Sequence, residues 1–135
     1  PAQGPGIRLV IHDPLGKVSG SVLLDAVEEM RDAGAEAIEV NDQVRVVAST
    51  WFGSEATDVV VDGRRVGRPL VLDVIGDPHS LEEAARFRGG IVSEITGVKI
   101  GGQGEVETPD RVVVSSLHPA TNPQYARPAS SPTPR

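Results

Sequence analysis

Ile7-Arg8-Leu9-Val10-Ile11-His12 runs into Asp13-Pro14, and Leu70-Val71-Leu72-Asp73-Val74-Ile75 runs through Gly76 into Asp77-Pro78. Each is a β-rich run closed by an Asp-Pro turn signal, and each is followed by a helical pattern. Downstream of the first, Ser19-Gly20-Ser21 opens a helix. Leu23, Ala26, Val27, Met30 and Ala33 fall on one apolar stripe of it, and Gly34 ends it at a position suited to φ > 0. Ala35 to Val40 reads as a strand, Asn41-Asp42 as a tight turn, and Val44 to Ser49 as a returning strand. Downstream of the second, Ser80-Leu81-Glu82-Glu83 has the capping-box pattern, Ser at the N-cap and Glu at N3. The helix runs to Phe87, breaks at Gly89-Gly90, restarts through Ile91 to Ile95, and stops at Gly97. Val98 to Gly101 and Arg111 to Ser115 then read as a hairpin.

The repeated order predicts an α+β fold of duplicated βαββ units, about 7–49 and 70–115. Two helices pack on one face of a mixed, mostly antiparallel sheet, in a ferredoxin-like arrangement. Between the units, Thr57 to Val61, Asp62-Gly63 and Arg64 to Val66 predict a hairpin insert over 57–68, because Asp-Gly supplies a type I′ turn. In the first strand Ile7, Leu9 and Ile11 point to the helices, and Arg8, Val10 and His12 point away. Residues 1–6 read as a leader. Residues 117–135, with five of the 11 prolines, read as a Pro-rich tail outside the 7–116 domain.

Composition narrows the function classes. Val, Ile, Leu and Phe number 37 of 135 residues, enough for one core. Residues 1–116 carry 11 Lys+Arg against 19 Asp+Glu, so the domain is acidic and nucleic acid is not an expected partner. The absence of cysteine excludes disulfides and thiolate chemistry. No run of 18 apolar residues is present. The chain begins Pro1-Ala2-Gln3 without Met, and we expect a fragment or processed product whose N-terminal membrane segment is absent.

Chemistry-bearing residues are few. His12, Asp13, Asp77 and His79 occupy matching places at the ends of the two repeated strands. If those ends converge they could form a metal, nucleotide or small-enzyme site; the alternative is that both aspartates shape turns before Pro. Gly101-Gly102-Gln103-Gly104 matches neither a phosphate loop nor a dinucleotide fingerprint, and no Gly-x-Ser-x-Gly elbow exists. We therefore expect no catalytic residue, no bound metal and no cofactor. Trp51 and Phe52, facing opposite ways on a strand, are candidates for a partner anchor or for hairpin packing. Arg64, Arg65 and Arg68 are the one basic cluster, read as a solvated hairpin tip or as a contact for anionic lipid or wall polymer.

The chain also resembles a known family. Gly34-Ala35-Glu36-Ala37-Ile38-Glu39-Val40-Asn41-Asp42-Gln43, the pair Ser49-Thr50, Val59-Val60-Val61-Asp62-Gly63, Ile75-Gly76-Asp77-Pro78-His79-Ser80-Leu81-Glu82-Glu83-Ala84 and Gly89-Gly90-Ile91-Val92-Ser93-Glu94-Ile95 follow the motif order of bacterial domain-of-unknown-function family 881, over about residues 5–116. Asp42 departs from its usual Gly, Asp62 from its Asn, and Trp51-Phe52 from its aliphatic-Arg pair. The resemblance implies a membrane helix and coiled coil ahead of this domain, and a place near division and envelope genes of Gram-positive bacteria. It implies no catalytic residue. The expectation is a non-catalytic, self-associating interaction module at the cell membrane, on its extracytoplasmic side, with envelope or division proteins as partners.

Overall fold

The computed structural model describes residues 2–116. Its centre is a five-stranded antiparallel sheet built by β2 (Gly6–His12), β3 (Ala37–Val40), β4 (Val44–Arg45), β8 (Leu70–Ile75) and β9 (Gln103–Glu107), in the order β4-β3-β8-β2-β9. The two repeated runs pair with each other, Leu9 opposite Leu72 and Gly6 opposite Ile75. Each described strand pair is antiparallel, so the mixed sheet anticipated from sequence is wholly antiparallel over these residues.

One face carries α1 (Gly20–Asp32), α2 (Pro78–Arg86) and α3 (Ile91–Thr96). The helix stripe and the strand alternation meet as expected. Leu23, Ala26, Val27 and Met30 of α1 and Ile7, Leu9, Ile11, Leu70, Leu72 and Val74 of the sheet are all fully buried in one cluster. Ser19 caps α1 by accepting from Val22 N–H at 3.3 Å, and Gly34 (φ 97°) ends the turn that follows it. The second helix starts earlier than the capping box suggested. Asp77 is the N-cap, with Pro78 at the first helical position, and its Oδ2 accepts from Ser80 N–H at 3.0 Å and from Ser80 Oγ–H at 2.7 Å. Gly89-Gly90 breaks it before α3, whose first N–H, at Ile91, donates to Glu29 Oε1 of α1 at 2.9 Å. That bond supplies from across the interface what Gly90, lacking a side chain, cannot.

The first unit keeps the βαββ order with a short last strand, whereas the second contributes only two strands to the main sheet. Val44 and Arg45 of the predicted 44–49 strand pair with β3, and Val46 N–H still donates to Ile38 O at 2.9 Å. Thr50 Oγ1 then accepts from Val47 N–H at 2.7 Å and turns the chain away. Val98–Gly101 forms a turn, and Gln103–Glu107 beyond it supplies the strand beside β2. The 98–101/111–115 hairpin therefore does not form. Instead β10 (Val112–Val114) pairs with β1 (Ala2–Gly4), so the leader is a strand. This ribbon buries Val112 and Val114 against Ile75 on the face away from the helices. The insert is a three-stranded sheet, β5 (Phe52–Glu55), β6 (Asp58–Val61) and β7 (Arg64–Val66). Asp62 (φ 50°) and Gly63 (φ 79°) make the anticipated turn, and Val59, Val61 and Val66 join the main core. The Pro-rich tail lies outside the described residues.

Asn41 links the β3–β4 turn to the entrance of β8. Its Oδ1 accepts from Val71 N–H at 2.7 Å, and its Nδ2 donates to Gly67 O at 2.8 Å and Pro69 O at 3.3 Å. Its φ of 50° is one that Asn tolerates better than most residues. Asn41→Ala loses these bonds and strains the turn, with an expected cost of about 2 kcal/mol. Chemical denaturation checks this, and an unchanged midpoint would contradict it.

Candidate functional site

The four residues at the strand ends do not assemble. Gly6 pairs with Ile75 and Ile11 with Leu70, so β2 and β8 run oppositely. His12 and Asp77 then lie at opposite ends of the pair, roughly 20 Å apart at the rise of an extended strand. His12 Nε2 lies 2.6 Å from Glu105 Oε1, and His79 Nε2 lies 3.4 Å from Glu83 Oε2 on the first turns of α2. Asp77 serves as a helix cap.

Asp13 has a structural role. It is 5% exposed, and its carboxylate accepts from Lys17 N–H, Val18 N–H and Arg68 Nε–H at 2.8, 2.8 and 2.7 Å. Burial pushes its pKa up, but the Arg68 guanidinium and the two backbone donors outweigh it, and the net shift is downward.

The basic cluster is dispersed by the same contacts. Arg68 turns inward, its Nη2 donating to Val18 O at 3.1 Å and Thr57 O at 2.7 Å. Arg65 sits on Glu55 at 2.8 Å and nears Asp58 at 3.8 Å. Among the described residues only Arg64 of the three is in no ion pair, so no concentrated cationic surface forms at this hairpin.

Trp51 and Phe52 do separate. Phe52 packs against the core, whereas Trp51 is 55% exposed. The indole lies across Gly53, where an added Cβ would come within 2.5 Å of its ring. Trp51 N–H donates to Asp62 Oδ1 at 2.9 Å and Asp62 N–H to Trp51 O at 2.8 Å, which fix the aromatic at the start of β5.

The alternation along β2 turns Arg8, Val10 and His12 to the face of the main sheet away from the helices. One end is covered by the β1–β10 ribbon. The rest carries a transverse row of charge. Arg45 pairs with Glu39, Glu39 with Asp73, Asp73 with Arg8, and Arg8 with Glu107. Glu39 and Asp73 are buried, at 0% and 2% exposure. Arg8 Nε–H donates to Asp73 Oδ1 at 2.8 Å, and Ser116 donates both its N–H and its hydroxyl to Glu39 Oε2. Asp42, exposed in the adjoining turn, brings a third carboxylate, and one oxygen from each of Glu39, Asp42 and Asp73 lies within 4.8 Å of the others. Burial, with Asp42 and Glu39 adding to it, raises the Asp73 pKa against the pull of Arg8. Sequence reasoning missed this trio. Its one visible trace was an acidic residue flanked by apolar ones in each strand, Ile38-Glu39-Val40 and Leu72-Asp73-Val74.

A family model described as a bacterial protein of unknown function (DUF881) matches residues 1–127. The chain is 39% identical over 131 residues to UPF0749 protein Rv1825 of Mycobacterium tuberculosis, covering 94% of this chain and 44% of that protein. It is 28% identical over 104 residues to UPF0749 protein YlxW of Bacillus subtilis, covering 70% of this chain and 45% of that protein. The chain thus spans less than half the length of these relatives. The crystal structure of an uncharacterized conserved protein from Mycobacterium tuberculosis matches it with a TM-score of 0.83 at 37% identity, covering 94% of this chain and 90% of that one.

Proposed function

Since the chain belongs to DUF881, a bacterial family of unknown function, we propose that it is a non-catalytic interaction domain of a membrane-anchored protein, which self-associates through the Trp51 surface. The observation that carries this reading is the aromatic itself. A tryptophan more than half exposed, its main chain held by two hydrogen bonds to Asp62 and its indole laid over a glycine, is an apolar plate that contributes little to the core. Such residues dominate binding energy where they meet a partner, and they lose little conformational freedom in doing so. The dispersed histidines and aspartates, each serving a cap, a turn or an ion pair, favour binding over catalysis. No described helix is long and apolar enough to cross a membrane, so the anchor in this reading belongs to a segment outside the described residues. The extracytoplasmic side, and a link to cell division or wall processes, rest on the family resemblance. Tethering would raise local concentration and make a weak contact effective.

Sedimentation of the 135-residue chain over a hundredfold concentration range, roughly 2.7 kcal/mol of association free energy, tests the module. The expected result is concentration-dependent association that Trp51→Ala weakens by about thirtyfold, as for loss of a 2 kcal/mol hot spot. A monomer throughout, or a Trp51→Ala chain that unfolds, overturns it. Fractionation of the full-length protein tests the anchor, and recovery in the soluble fraction overturns that part.

A further inference from the structure

We propose that Glu39, Asp42 and Asp73 bind a hard divalent cation of the magnesium, manganese or calcium class on the face of the sheet away from the helices. Three acidic side chains near one another are common without an ion, and the trio alone would not carry this. The independent observation is Glu39 Oε1. It is buried in a residue of 0% exposure and has no hydrogen-bond partner among the described residues, although Oε2 of the same carboxylate is gripped by Ser116. A buried carboxylate oxygen without a donor is costly, and few native structures leave one unmet.

The geometry suits a cation. Arg8 occupies Oδ1 of Asp73 and leaves Oδ2 for a ligand, Asp42 approaches from the turn, and one oxygen from each residue lies within 4.8 Å of the other two. With Arg8 on Asp73 and Arg45 opposite Glu39 in the strand register, the three carboxylates still outnumber the guanidinium groups, and a metal adds positive charge where they meet. The donors are all oxygen, with no imidazole or thiolate, which favours hard cations over zinc or copper. A surface depression of about 450 Å³ reaches Asp42 and Asp73, with Arg8, Asn41 and Glu107 also on its wall, and gives a metal room for water in its remaining positions. The site also has a structural meaning. Glu39 holds Ser116, two residues beyond β10, and Asp42 sits in the β3–β4 turn, so an ion joins the sheet to the ribbon and the turn at one point.

The test uses the 135-residue chain stripped with a chelator and titrated separately with Mg²⁺, Mn²⁺ and Ca²⁺, followed by calorimetry and by melting temperature. Saturable binding of at least one cation with a matching rise in melting temperature is expected. Asp42→Asn is the decisive variant. Asp42 is exposed and Asn tolerates its φ of 55°, so the variant should fold and melt like the parent without metal, yet bind about tenfold more weakly or worse. Mn²⁺ should selectively broaden the amide signals of Asp42, Glu39 and Asp73. No saturable binding of any of the three cations, full binding by Asp42→Asn, or broadening centred elsewhere overturns the proposal.

Discussion

Asp13→Ala is expected to destabilise the domain by about 3 kcal/mol, the scale of removing one partner from a buried ion pair. The substitution leaves the Arg68 guanidinium, 22% exposed, facing an apolar methyl group, and it strips acceptors from Lys17 N–H and Val18 N–H. For a domain of this size the melting temperature should fall by roughly 12 °C. Arg68→Ala should cost less, because Asp13 would keep both backbone donors. The double variant should be less destabilised than the two single effects added together, since they remove the same contact. Additive effects would mean that the pair contributes nothing as a pair. The pH dependence has a definite sign. The folded pKa of Asp13 lies below its unfolded value, so its stabilisation is fully present above about pH 4 and is lost as the pH falls through the folded pKa. Asp13→Asn should therefore lose part of the acid limb of the stability profile. An unchanged acid limb would show that other carboxylates set it.

Gly6→Ala should be comparably damaging for a different reason. A Cβ at Gly6 would lie 1.9 Å from Val74 O and 2.9 Å from Val74 C, both backbone atoms of the central strand β8. No side-chain rotation relieves that, so β2 must shift relative to β8 where the two strands pair. The expected loss is about 3 kcal/mol, at the upper end for overpacking. Gly67→Ala is the matched control. Nothing lies within 4 Å of a Cβ there and its φ is not left-handed, so the change should be neutral or stabilise by about 0.5 kcal/mol. Equal effects at the two positions, by chemical denaturation, would contradict the steric account.

The DUF881 assignment and the α+β architecture were both legible in the sequence. Helical stripes such as Leu23, Ala26, Val27 and Met30, strand alternation such as Ile7, Leu9 and Ile11, and Asp62-Gly63 as a turn are local patterns. The burial that selects them acts on the same few residues that display them. The last strand of each predicted βαββ unit was less legible. Val44–Ser49 and Arg111–Ser115 have similar composition, yet one pairs briefly with β3 and the other with the leader. A β-rich word says that a segment will pair, not with which partner.

What the sequence by itself determined was therefore the set of elements, their amphipathic faces and the absence of recognisable catalytic motifs. Strand direction and register belonged to the tertiary structure. Antiparallel pairing of β2 with β8 sends His12 and Asp77 to opposite ends, although their sequence contexts match. The same register sets Glu39 beside Asp73 and Asp73 beside Arg8, residues that lie far apart in the chain. Folding back of the 67–69 segment brings Arg68 onto Asp13 and removes it from the basic hairpin. Each of these is a long-range contact. Its free energy depends on which surfaces the packed core brings together, and no window of neighbouring residues contains that information.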